Sequence, residues 1–189
     1  MPDNAKHPTP HAIIVMGVSG SGKSTIGDAL AIRLGWAYED GDAYHPPGNV
    51  AKMHAGHPLT DDDRWPWLRA IAEAIDQHIV TGRPIVIACS ALKRAYRDIL
   101  VHGRDDIRIV YLKGSRELIA RRLKARKGHF MPPGLLDSQF ATLEEPVADE
   151  HVMVIDIDTS VEAIVDEITR RLASPSPALP AQPPASAHR

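Results

Sequence analysis

Short apolar runs alternate along this chain with longer stretches in which apolar residues recur every four positions. Ala12 to Met16, Ile85 to Cys89, Ile107 to Leu112 and Val152 to Ile155 are runs of the first kind, and Trp36 to Glu39 is a shorter, more polar one. Runs that stay apolar rather than alternating mark parallel strands covered on both faces. Ile26, Leu30 and Leu34, then Trp67, Ile71, Ile75 and Ile79, and finally Ile164, Ile168 and Leu172 form the four-residue repeats. Each is the buried stripe of an amphipathic helix. They predict helices over Thr25 to Leu34, Arg64 to Val80 and Val161 to Leu172. Shorter helices are expected over Asn49 to Gly56, after Arg94 to about His102, from Ser115 to Arg126 with Ser115 as cap, and over Leu135 to Leu143. Gly35 suits a helix stop, and one of Asp61, Asp62 and Asp63 suits the cap of the long middle helix.

This alternation predicts an α/β domain of three layers around a parallel sheet of five strands, spanning residues 12–173. Residues 1–11, polar with two prolines, read as a flexible tail. Residues 174–189 are rich in Pro, Ala and Ser, cannot bury a core, and read as disordered. With 189 residues, 43% hydrophobic and 24% charged, the composition is that of one ordinary globular domain. A net charge of −2 gives no sign of nucleic-acid or anionic-membrane partners. The single cysteine, Cys89, excludes an internal disulfide and suits a reducing compartment. Neither a signal peptide nor a membrane-spanning run is visible, so an enzyme of the cytoplasm is the expectation.

Between the first strand and the first helix lies Gly17-Val18-Ser19-Gly20-Ser21-Gly22-Lys23-Ser24-Thr25, which fits G-x-x-x-x-G-K-[ST]. Glycines let a backbone curl until several N–H groups aim at one point, and the helix beyond adds its positive end. This reads as a loop for the phosphates of a nucleoside triphosphate, with Lys23 reaching the β- and γ-phosphates and the Ser24 hydroxyl on Mg²⁺. The alternative is a plain Gly/Ser turn, which has no need of a Lys-Ser pair after its last glycine.

Asp40-Gly41-Asp42 ends the second strand. The carboxyl ends of parallel strands share one crevice, so both carboxylates are expected beside the phosphate loop. Asp42 would take or orient the proton of an attacking hydroxyl, and Asp40 would hold the metal through its waters. The alternative is a solvated Asp-Gly turn. The third strand ends in Cys-Ser, without the acidic residue that commonly holds Mg²⁺ there. That argues against a motor ATPase or GTPase and leaves the role to Asp40.

Lys52, Arg64, Lys93 and Arg94 are cations that an anionic acceptor would want, or else solvated surface. Arg121, Arg122, Lys124, Arg126 and Lys127 precede a stretch flanked by Gly and Pro. They read as a lid, about 121–140, that stabilises charge and excludes water, or as a basic helix face. His45, His54, His57 and His129 lack metal-ligand spacing. Trp65, Trp67 and Cys89 read as core or wall.

Longer strings carry a family likeness: DGDAYHPPGNVAKMHAGHPLTDDDRWPWL from Asp40, CSALKRAYRDIL from Cys89, YLKGSRELIARRLKARKGHFMPPGLLDSQFATLEEP from Tyr111, and VIDID at Val154. With the phosphate loop, they resemble the small P-loop gluconokinases, relatives of shikimate and adenylate kinases. The resemblance implies the P-loop kinase fold of the nucleoside-monophosphate-kinase type. The core would carry a mobile lid and a substrate-binding segment at about 40–80. It also implies ATP-dependent phosphorylation of D-gluconate at its 6-hydroxyl, feeding gluconate catabolism, and a homodimer. It makes Gly17 to Thr25 the ATP loop and Asp42 the residue facing the acceptor hydroxyl. His45, Lys52, Arg64, Lys93 and His129 fall in strings like the gluconate pocket, and Arg121 and Arg126 in the lid. Asp158 and Thr159 lie where related kinases pass the adenine. Two other readings remain: a shikimate-like or nucleotide kinase, and a nucleotide-binding protein without transferase activity.

Overall fold

A computed structural model of the chain describes residues 10–125 and 133–174. The expected strands and helices are present, with ends moved by a few residues. The five strands are β1 (Ala12–Met16), β2 (Ala37–Asp40), β3 (Ile85–Ala88), β4 (Ile107–Lys113) and β5 (Met153–Asp156). They pair in parallel in the order β2-β3-β1-β4-β5. The helices are α1 (Lys23–Leu34), α2 (Pro47–His54), α3 (Asp61–Val80), α4 (Arg94–Val101), α5 (Arg116–Ala125), α6 (Pro133–Thr142) and α7 (Val161–Ala173).

The uniformly apolar strands are explained by two separate cores. Ile13 and Val15 of β1, Val86 of β3, and Val110 and Leu112 of β4 pack with Ile26 and Leu30 of α1 and Ile164 and Ile168 of α7. Ala12, Ile14 and Met16, with Ile85, Ile87, Ile107 and Ile109, face Trp67, Leu68, Ile71 and Ile75 of α3 and Leu100 of α4. Successive strand residues point to opposite faces, so a strand between two helical layers is apolar at every position.

Two helix starts shape the cleft. α3 begins at Asp61, three residues before the expected start at Arg64, and its cap is Thr60 rather than an aspartate. The Thr60 hydroxyl accepts from the Asp63 N–H at 3.3 Å, and the Asp63 carboxylate accepts from the Thr60 N–H at 2.9 Å. That reciprocal pair leaves the aspartates in the first turn, where the helix dipole favours them. α1 begins directly at Lys23, because Gly22 turns the chain with φ +97°, a conformation that glycine adopts freely.

Strand order places the site. β1 lies between β3 and β4, and the chain leaves β1 and β3 toward opposite sides of the sheet. A crevice opens at the carboxyl ends of strands where the order reverses in this way. The phosphate loop follows β1, Asp40 ends β2 with Asp42 two residues on, and Ser90 lies two residues beyond β3, all at that edge.

Candidate active site

No side chain caps α1 and no acidic residue sits in its first turn. Its first N–H groups are thus left to whatever occupies the cleft, as an anion site requires. Lys23 curls back over the loop and donates to the Val18 carbonyl at 3.1 Å. Ser24 donates from Oγ to Asp40 Oδ2 at 3.0 Å, and Asp40 Oδ1 accepts from the Asp42 N–H at 3.1 Å. One aspartate therefore ties the phosphate loop to the second carboxylate. The turn between them is held on three sides. Trp67 donates from Nε1 to the Gly41 carbonyl at 2.7 Å. A Cβ on Gly41 would lie 2.6 Å from the Ala88 carbonyl and 3.1 Å from Ile71 Cδ1. Glycine is needed here for space.

A cleft of about 1290 Å³ joins these parts, with Ser19, Lys23, Asp40, Asp42, His45 and Arg64 in its wall. On the acceptor side, Asp61 gathers donors. Lys93 Nζ lies 2.6 Å from it, the Tyr96 hydroxyl 2.5 Å and Arg64 Nη1 3.4 Å. Lys93 and Tyr96 together hold the Asp61 carboxyl below its usual range, and Asp61 raises the Lys93 ammonium in return. Two cations around one carboxylate leave one positive charge. Lys52 is paired at 2.6 Å with Asp63, whose carboxyl it and Thr60 pull down to about 2. Burial pushes the His45 imidazole down and the Cys89 thiol up to about 12.

At the other end of the cleft, Arg122 donates to the Ile157 carbonyl at 2.5 Å, and Leu123 lies so close to Gly20 that a Cβ there would meet it at 2.6 Å. Gln139 of α6 accepts from the Ser19 N–H at 2.5 Å, so a phosphate-loop donor is occupied by a side chain from a distant helix. A smaller recess of about 530 Å³ behind α3, lined by Tyr44, Glu73, Asp76 and Gln77, holds none of these groups.

Ser19, Gly20, Gly22, Lys23, Ser24 and Thr25 line the cleft, while Gly17, Val18 and Ser21 are buried beneath it. Among the described residues, the lining does not include Lys52, Lys93, Arg121, Asp158 or Thr159. Arg94 is paired with Asp149. Arg126 and His129, with the rest of 126–132, lie outside the described residues. Sequence reasoning passed over Tyr96 and Gln139, took Asp61 only as a candidate cap, and named Arg122 only as one member of the cationic cluster. A signal for Arg122 existed. Ile119 is buried, and positions three and four residues on, Arg122 and Leu123, share its helix face. Nothing local distinguishes Gln139.

Fold and cleft together define a P-loop kinase of the α/β class. A family model described as shikimate kinase matches residues 19–173. The chain is 49% identical over 156 residues to the thermoresistant gluconokinase of Escherichia coli, covering 82% of this chain and 89% of that one. It is 44% identical over 180 residues to a probable gluconokinase of Mus musculus, with 86% and 98% covered. The crystal structure of a gluconokinase from Sinorhizobium meliloti superposes with a TM-score of 0.79 at 46% identity, covering 87% of this chain and 93% of that one. The chain belongs to the gluconokinase family.

Proposed function

We propose that this protein transfers the γ-phosphoryl group of ATP to the 6-hydroxyl of D-gluconate, giving 6-phospho-D-gluconate and ADP. The observation that carries the reading is the Ser24–Asp40–Asp42 chain, which brings a phosphate loop and an acceptor-side carboxylate to one cleft. In the reaction an O–P bond forms to the sugar-acid hydroxyl, the bond to ADP breaks, and Asp42 receives the hydroxyl proton. Lys23 and the N–H groups of the loop and α1 meet the charge on the phosphates. Arg64, in the cleft wall beside Asp61, supplies the cation for the gluconate carboxylate.

The hydroxyl and carboxylate oxygens of Ser24 and Asp40 converge at 3.0 Å, a hard-oxygen pair that fits Mg²⁺. Among the described residues no cluster of three or more His, Cys, Asp or Glu could cage a metal, which agrees with an ion held largely by phosphate and water. Bound there, Mg²⁺ would neutralise charge between the phosphates. The remaining members of the expected set, Lys52, Lys93, Arg121, Arg126, His129, Asp158 and Thr159, come under this reading as residues that a closed, loaded state recruits. The same reading makes the enzyme a homodimer, supported by the family likeness. It places the protein in the cytoplasm, supported by the single cysteine, Cys89, a usage that suits a reducing compartment. No helix of the described residues is long and apolar enough to cross a membrane.

The test is ADP release by purified protein with Mg²⁺ and ATP, comparing D-gluconate with shikimate, other sugar acids, glucose and AMP. Stimulation by gluconate above the others is expected. Stimulation by another acceptor instead would keep the fold and overturn the substrate.

A further inference from the structure

We propose that Asn49 fixes His45 as the neutral imidazole protonated on Nε2, and that His45 is thereby a positioning residue for Asp42. Asn49 is 5% exposed. Its Nδ2 lies 2.8 Å from the carbonyl oxygen of Asp63 in the first turn of α3. A carbonyl only accepts, so the nitrogen end of the amide must face it, and the amide cannot be turned round. The same Nδ2 is 3.3 Å from His45 Nδ1. An NH₂ group has only protons to offer, so Nδ1 must be the bare, accepting nitrogen. The ring proton is then on Nε2, and Nε2 is the atom that faces Asp42, 3.9 Å from Oδ1.

The ring has little freedom to leave this arrangement. It stacks on Trp67 with centroids 4.2 Å apart and planes 15° apart, and its side chain is 5% exposed. The charged groups facing it are Asp42 from the turn after β2 and Arg64 from α3. α2 contributes only the neutral Asn49. Burial and Arg64 disfavour the imidazolium, Asp42 favours it, and burial is the largest of the three. A carboxylate as exposed as Asp42, at 83%, needs something to hold its direction. At 3.9 Å the Nε2–H lies outside hydrogen-bond reach, but it aims the positive end of its dipole at Oδ1 and so favours that direction while leaving the carboxylate charge intact, whereas an imidazolium would pair with it and weaken it as a base. The role given to Asp42 rests on the proposed reaction, but the tautomer does not.

The experiment has two arms. Long-range ¹H–¹⁵N spectra of the full-length protein, with His45 assigned by its loss in His45→Phe, read tautomer and charge directly. The Nε2-protonated neutral form is expected at neutral pH. An Nδ1-protonated ring or an imidazolium there overturns the proposal. Asn49→Asp replaces the donor by an acceptor and should move the proton to Nδ1. In the kinetic arm, His45→Phe keeps the ring on Trp67 but has no N–H. Its kcat should fall roughly tenfold or more, with KM for ATP and for gluconate nearly unchanged, since base positioning acts on the chemical step. His45→Gln, which retains an N–H donor, should recover part of the loss. A raised KM for gluconate at unchanged kcat would make His45 a substrate contact, and unchanged kinetics would make it structural. Either result overturns the positioning role. A wild type inert toward gluconate would remove the reaction itself, and the spectra would still decide the tautomer.

Discussion

Arg97 and Glu150 form an ion pair in which the side chains are 2% and 6% exposed. Nε and Nη2 of Arg97 meet the two carboxylate oxygens at 2.5 and 3.0 Å. The remaining Nη1 donates to the carbonyls of Ala91 and Leu92 at 3.2 and 3.3 Å. Those carbonyls belong to the loop after β3, where Ala91 takes φ +44°, unusual for a residue with a Cβ. The pair therefore braces the segment that carries Ser90 and Lys93 at the crevice. Arg97→Met preserves most of the volume but leaves Glu150 charged, buried and with one backbone donor, the Val147 N–H at 3.0 Å. Breaking a buried pair in this way costs about 3–5 kcal/mol, which in a chain of this size lowers Tm by roughly 6–20 °C. The double variant Arg97→Met with Glu150→Leu removes the orphaned charge and should recover much of the loss. Thermal unfolding followed by circular dichroism at neutral pH decides it. A drop under about 2 °C for the single variant, or a double variant as unstable as the single one, would refute the reasoning. Acid gives a second readout. Burial raises the Glu150 carboxyl, but Arg97 and the Val147 N–H outweigh it, and the net shift is downward. A depressed carboxylate contributes stability above its unfolded value and loses it as pH falls through the folded one. The wild type should lose stability on acidification more steeply than the double variant.

Four further outcomes are expected. Lys23→Ala should lower kcat by roughly 10²–10³ in the ADP-release assay, because a transition-state cation is lost. Nearly intact turnover would refute the phosphate-loop assignment. Asp42→Asn should lower kcat while ATP binding, measured by calorimetry, changes little, and an unchanged kcat would remove Asp42 from the chemistry. Gly41→Ala should destabilise by about 1–3 kcal/mol in a denaturant titration, since its Cβ meets a strand carbonyl and not a flexible side chain. A neutral result would mean that the turn yields. Gln139→Ala frees the Ser19 N–H, and with a hydrogen bond worth about 0.5–1.5 kcal/mol no longer competing, ATP should bind up to about tenfold more tightly. Unchanged or weaker binding would refute competition at that donor.

Strand and helix identity, the phosphate loop and the nearness of Asp40 and Asp42 to it were legible in the sequence, because each rests on local spacing. Apolar runs are strands between two layers, four-residue repeats are helix stripes, and a glycine loop before a helix makes an anion nest whatever the rest of the chain does. The strand ends could be placed at one edge by the rule for parallel sheets alone. What faces the cleft was not legible residue by residue. Lys52 and Lys93 look like pocket cations in the sequence, yet Asp63 and Asp61 hold them, while Arg64 keeps a place in the wall. Arg121 and Arg122 are chemically equivalent neighbours, and the phase of α5 against the sheet selects Arg122. The strand order, the contact of Gln139 with a loop 120 positions away and the tautomer of His45 depend on partners brought together only by packing. Local sequence determines which conformation a segment prefers. Which charge meets which, and which proton faces the cleft, is decided when distant elements dock, because those energies depend on distance and burial that no spacing along the chain records.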